Sequence, residues 1–144
     1  MPGKTQSIVF DQASRPFALY LHWPFCRAKC PYCDFNSHVS NDVDIKIFGE
    51  ALCSEMTHMA SLMPSRPPLS SLFFGGGTPS LMPPALVERL IRHAEDLFGF
   101  ISNIEITAEA NPTSVEAEAM LGFQKAGVNR VSMGVQSLDD ASLK

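Results

Sequence analysis

Leu69-Ser70-Ser71-Leu72-Phe73-Phe74 is a short apolar run that ends in Gly75-Gly76-Gly77, and Pro83-Pro84 then opens a stretch carrying Leu86, Leu90, Ala94 and Leu97. Strand, glycine turn and helix are expected in that order. Proline suits the first turn of a helix, and the apolar positions recur at helical spacing. The same succession lies on both sides of this segment. Residues 17–23 read as a strand, and residues 43–63 as a helix with Ile45, Phe48, Leu52, Met56, Met59 and Met63 on one face. The proline-rich linker at residues 64–68 cannot continue that helix. In residues 103–109, Ile104, Ile106 and Ala108 alternate with Glu105, Thr107 and Glu109, the period of a strand. Thr113 with Glu116 makes a capping box for a helix that stops at Gly127, and residues 129–136 read as a fourth strand. About four βα units in a row predict an α/β fold with a parallel sheet.

Two regions are expected: a polar N-terminal leader over residues 1–16, and an α/β core domain over residues 17–144. Residues 137–144 read as a loop and a helix start with no stop signal, so the core is expected to be truncated. With 45% hydrophobic and 18% charged residues, the composition is that of an ordinary globular domain. Eleven basic against fifteen acidic side chains give −4, without a Lys/Arg cluster, which speaks against nucleic acid as a partner. The leader lacks the apolar stretch of a signal peptide, and no run of about 18 apolar residues occurs, so a cytoplasmic location is the default expectation.

Of the four cysteines, three stand in Cys26-Arg27-Ala28-Lys29-Cys30-Pro31-Tyr32-Cys33, directly after the first expected strand. Such spacing suits metal or redox chemistry better than disulfides. Three thiolates on a [4Fe-4S] cube leave one iron without a protein ligand, whereas electron-transfer clusters normally have a fourth cysteine. Zinc held by the three cysteines with His22 or His38 is the competing reading. Cys53, on the first expected helix, fits a half-buried ordinary thiol. His22 itself fits a buried, hydrogen-bonded histidine.

The cysteine spacing, with Tyr32 before the last cysteine, resembles the signature of the radical S-adenosylmethionine (SAM) superfamily. Tyr20-Leu21-His22-Trp23-Pro24-Phe25-Cys26 and Cys33-Asp34-Phe35 narrow the resemblance to the branch with oxygen-independent coproporphyrinogen III oxidases and HemW-type haem chaperones. The resemblance implies the N-terminal part of a partial (β/α) barrel. It also implies a [4Fe-4S] cluster on Cys26, Cys30 and Cys33, with SAM on the open iron and cleaved on one-electron reduction to methionine and a 5′-deoxyadenosyl radical. Carried over by position, Tyr20 and the backbone around Tyr32 contact SAM, and Gly76, Gly77 and Thr78 receive its amino group. Glu109 holds the ribose hydroxyls, and Gln136 is a further contact. The chemistry of the residues agrees: a carboxylate can accept both hydrogen bonds of a diol, and glycines let backbone groups approach a ligand closely. The cysteine loop, the glycine run, Glu109 and Gln136 all fall at the C-terminal ends of successive expected strands, the active face of parallel α/β barrels.

Within that branch, the resemblance implies either an enzyme or a carrier. An oxidase would decarboxylate coproporphyrinogen III oxidatively to protoporphyrinogen IX in porphyrin biosynthesis. A chaperone would bind haem and pass it to an apo-haemoprotein, meeting a membrane only through that acceptor. Either would need an electron donor for the cluster. The oxidase pattern continues with a glycine and a cysteine after the third cluster cysteine, whereas Asp34-Phe35-Asn36-Ser37 stand here and resemble the chaperone.

Overall fold

The computed structural model describes residues 16–112 and 114–142, and for residues 114–118 the backbone alone. The Thr113/Glu116 capping box, the leader before Pro16 and the final Leu143-Lys144 lie outside the described residues.

In chain order the elements are β1 (Ala18–Trp23), β2 (Phe25–Cys26), β3 (His38–Val39), α1 (Ile45–Leu62), β4 (Leu69–Gly76), α2 (Pro84–Phe98), β5 (Phe100–Ala110), α3 (Ser114–Ala126) and β6 (Arg130–Met133), with a 3-10 turn at Pro79–Leu81. Strands β1, β4, β5 and β6 form one sheet in that order, every pair parallel. The register sets Leu21 beside Phe74 and Phe74 beside Ala108, so like-facing residues line up across the sheet.

One face of this sheet is apolar. Leu21, Trp23, Leu72, Phe74, Ile106 and Ala108 form a single core with Met56 and Ala60 of α1, Val87 and Leu90 of α2, and Phe123 and Ala126 of α3. The alternate positions, Tyr20, His22, Phe73, Glu105, Thr107, Glu109, Arg130 and Ser132, point to the opposite face, because successive strand residues do. Strands laid down in sequence order with helices on one side wind like a barrel wall, not like a doubly wound sheet.

Local chemistry sets the element ends. The Asp44 carboxylate accepts from the Ile47 N–H at 2.9 Å and starts α1. Pro84 occupies the first turn of α2 after Pro83. After α3, Gly127 takes φ +113° and the Val128 N–H returns to the Phe123 carbonyl at 3.0 Å, which closes the helix. Asn129 then starts the last strand by side chain as well as backbone: Oδ1 accepts from the Ile106 N–H and Nδ2 donates to the Ile104 carbonyl, each at 2.8 Å.

The expected elements are all present, with shifted ends. β5 begins at Phe100, not Asn103, because its register against β4 jumps between Leu69/Phe100 and Ser71/Glu105. β6 stops at Met133, short of Gln136, whose φ of +65° no strand residue adopts. In α1 the expected apolar Met59 is 51% exposed, while the small Gly49 and Ala60 are buried against the neighbouring elements. The short parallel pair β2/β3 was not expected. It clamps the base of the cysteine loop, with the His38 N–H donating to the Pro24 carbonyl at 2.7 Å.

Candidate functional site

A cleft of about 200 Å³ opens where the sheet strands end. Each wall comes from a different segment. The cysteine loop supplies Cys30, Tyr32, Cys33 and Phe35, and the end of β4 supplies Gly76, Gly77, Thr78 and Pro79. Glu109, Ala110 and Asn111 come from β5, and Ser132, Met133, Gly134 and Gln136 from β6 and the turn beyond it. Parallel strands deliver these ends to one edge because every crossover helix returns the chain to the other.

The glycine run is shaped by what presses on it. A Cβ on Gly76 would lie 2.7 Å from both the Trp23 carbonyl oxygen and the His22 ring, and Gly76 has φ +121°. A Cβ on Gly77 would lie 2.8 Å from the Cys26 sulfur. The run therefore makes room first for the chain's own β1 and cysteine loop, and only its outer side for anything in the cleft. Its N–H groups are engaged. Gly76 donates to the Glu109 carboxylate at 3.1 Å, Gly77 to the Trp23 carbonyl at 2.7 Å and Thr78 to the Phe25 carbonyl at 3.0 Å. What the segment can still offer is carbonyl oxygen, the partner an ammonium needs.

The three loop cysteines differ in setting. Cys26 is buried on β2, Cys30 is exposed, and Cys33 is half-buried with its N–H donating to the Cys30 carbonyl at 3.0 Å. Among the described residues no three Cys, His, Asp or Glu side chains gather around one ion-sized point. In a cubane each thiolate takes a separate iron, and three thiolates in one short loop beside an open cleft are a chemically suitable donor set for it. The Tyr32 hydroxyl is held above its ordinary pKa, first by a hydrogen bond with the Cys30 side chain and then by burial and the two neighbouring cysteines.

Tyr20 stands at the rim, not in the lining. Its ring lies against Gly75 and stacks with Phe73 at 6.0 Å between centroids. Its hydroxyl is 3.2 Å from His22 Nδ1, and His22 Nε2 is 3.0 Å from the Asn36 carbonyl. A carbonyl can only accept, so Nε2 carries the proton and Nδ1 accepts from Tyr20. His22 is thus a hydrogen-bonded, half-buried histidine joining β1 to the end of the cysteine loop. The Tyr20 hydroxyl is held above pKa 10.0, by burial first and by the nearby Glu109 charge second.

Asn111 and Ser132 also line the cleft and were not singled out in the sequence, and Phe35, read there only as a mark of the branch, lines it too; the parity of Ser132 with Arg130 and Glu109 on the open face was the available signal. Cys53 lies elsewhere, in a groove between α1 and α2 with Glu88, Arg89 and His93, where its carbonyl accepts from His93 Nε2 at 3.0 Å. His38 is exposed on β3.

A parallel barrel wall with a three-cysteine loop at its C-terminal edge defines a class, and the model of the Radical SAM superfamily matches residues 20–144. The chain belongs to that superfamily, whose membership implies SAM and a [4Fe-4S] cluster. Within it, the chain is 42% identical to the heme chaperone HemW of Haemophilus influenzae, over 90% of this chain and 35% of that protein. It is 40% identical to the mitochondrial radical S-adenosyl methionine domain-containing protein 1 of Bos taurus, over 91% of this chain and 29% of that one. The solved structure of the radical SAM enzyme coproporphyrinogen III oxidase (HemN) from Escherichia coli superposes with a TM-score of 0.77 at 34% identity, over 88% of this chain and 29% of that chain. The chain spans about a third of the length of the curated relatives it matches. No helix among the described residues is long and apolar enough to cross a membrane.

Proposed function

We propose that Cys26, Cys30 and Cys33 hold a [4Fe-4S] cluster, that SAM occupies the adjoining cleft, and that the protein acts as a HemW-like haem chaperone. The observation that carries the site is the cleft, which brings Cys30, Cys33, Gly76, Gly77, Glu109 and Gln136 to one edge of the sheet, with the buried Cys26 sulfur directly behind Gly77. Carbonyls of Gly76 and Gly77 suit the SAM ammonium, with Thr78 beside them and its own carbonyl already accepting from the Leu81 N–H; the Glu109 carboxylate suits the ribose diol, and Gln136 lines the cleft from beyond β6. When bound, the cluster supplies the electron that cleaves SAM. Tyr20 orients the rim through His22, and Phe35 and Tyr32 narrow the entrance. A cytoplasmic location, an electron donor for the cluster and an apo-haemoprotein acceptor complete this reading.

The chaperone branch is supported by Asp34-Phe35-Asn36-Ser37 after the third cysteine and by the likeness to the heme chaperones HemW of Haemophilus influenzae and Escherichia coli. The structural neighbour HemN keeps coproporphyrinogen III oxidation as the second reading. Haem titration and a decarboxylation assay on cluster-loaded protein separate them. Tight haem binding without protoporphyrinogen production is expected, and robust production would replace the chaperone with the oxidase. For the cluster, Cys30→Ala should abolish the brown colour and the reduced-state EPR signal, and Cys53→Ala should leave both intact.

A further inference from the structure

Lys29 stands inside the cysteine loop with its ammonium donating to three oxygens: the Phe35 carbonyl at 3.2 Å, the Ser37 carbonyl at 3.4 Å and the Ser37 hydroxyl at 3.1 Å. Ser37 is buried, 8% exposed, and its Oγ lies 3.8 Å from the Cys33 sulfur. What each group can do fixes the direction of this chain. An ammonium only donates, so Ser37 Oγ accepts from Lys29, and its one hydroxyl hydrogen is left for the sulfur. A metal-bound thiolate only accepts.

We infer that Ser37, held in place by Lys29, donates a hydrogen bond to the Cys33 sulfur and thereby raises the reduction potential of the cluster. This rests on the reading of Cys33 as a cluster ligand. Reduction adds one electron to the cluster from an external donor, and no bond is made or broken at Ser37. The added negative charge falls partly on the ligand sulfurs, so a donor at one of them stabilises the reduced form more than the oxidised form. The Lys29 charge behind the hydroxyl polarises it in the same sense. Ser37 is a positioning and tuning residue, not a catalytic one: its hydroxyl reaches the ligand and does not line the cleft.

The loop tie and the tuning can be separated. Ser37→Ala removes the hydroxyl but leaves the two carbonyls that anchor Lys29. Ser37→Thr keeps a hydroxyl, and Lys29→Met keeps Ser37 but removes the charge. The test is an EPR-monitored reductive titration of anaerobically reconstituted protein, alongside its iron content. Expected are parental iron content in the two Ser37 variants, a midpoint of the cluster-bearing protein shifted to more negative potential in Ser37→Ala and Lys29→Met, and a parental midpoint in Ser37→Thr. Unchanged midpoints in Ser37→Ala and Lys29→Met would overturn the inference while leaving the cluster assignment standing. Should Ser37→Ala lose its cluster, Lys29→Met decides: a negative shift supports the inference, and a parental midpoint refutes it. Retention of full iron content and the parental EPR signal by Cys33→Ala would remove the ligand reading itself, and the inference with it.

Discussion

Glu109 and Tyr20 stand on the open face on either side of β4, which separates β5 from β1, and the carboxylate charge makes it harder for the phenol to become negative. The sign follows from like charges: with Glu109 ionised, phenolate forms only at higher pH. In a Tyr32→Phe background, which leaves Tyr20 as the one tyrosine, Glu109→Gln should move the midpoint of phenolate absorbance to lower pH. The midpoint should stay above 10.0, since burial is the larger cause and survives the substitution. The amide oxygen of Gln can still accept from the Gly76 N–H, so the local backbone is kept. An unmoved midpoint would mean that the two groups do not share a field.

At the scale of elements, strands and helices were legible wherever a run was long enough to show its period. The alternation of Ile104, Ile106 and Ala108 and the helical spacing of Leu86, Leu90 and Ala94 both reappear as buried stripes. Two-residue strands show no period, so β2 and β3 were hidden in the sequence although they fix the mouth of the cysteine loop. The first residues of β5 were hidden by the register jump beside Ser71, and the end of β6 by the left-handed backbone of Gln136. In the cleft, the cysteines were legible by their spacing, and the glycines, Glu109 and Gln136 by the family resemblance together with their shared place at the ends of expected strands. Asn111 and Ser132 are ordinary there, and the Tyr20–His22–Asn36 chain joins residues that only the folded loop brings together. Asn129 shows how one side chain can carry an element boundary. Its amide bridges Ile104 and Ile106 ahead of the first paired residues, Thr107 and Arg130. Asn129→Ala removes two hydrogen bonds and leaves the Ile106 N–H without its partner, so a loss of about 1–2 kcal/mol of unfolding free energy is expected in urea. A loss within a few tenths of a kcal/mol of zero would show that water replaces the bridge.

Across the described molecule, the apolar core and the side chains that reach the candidate cleft lie on different faces of the same sheet. The helix-covered face holds the apolar core, so the open face is free to carry Glu109, Ser132 and the mouth of the cleft without weakening that core. The cysteine loop is anchored separately, through β2/β3 and through Lys29 to residues 35–37. Cluster assembly and SAM binding should therefore respond to different substitutions. Glu109→Ala removes a charged acceptor from the cleft wall while leaving the three cysteines and their anchors in place. Hydrogen bonds to a charged group are worth about 1.5–3 kcal/mol, which corresponds to a roughly tenfold to hundredfold weaker SAM affinity. Calorimetric titration of SAM into cluster-loaded protein should show that loss, with iron content and visible absorption at parental levels. Parental affinity would remove Glu109 from the ribose site. A parallel fall in iron content would instead mean that Glu109 supports the glycine run through Gly76, and the cleft and the cysteine loop would then have to be treated as one structural unit.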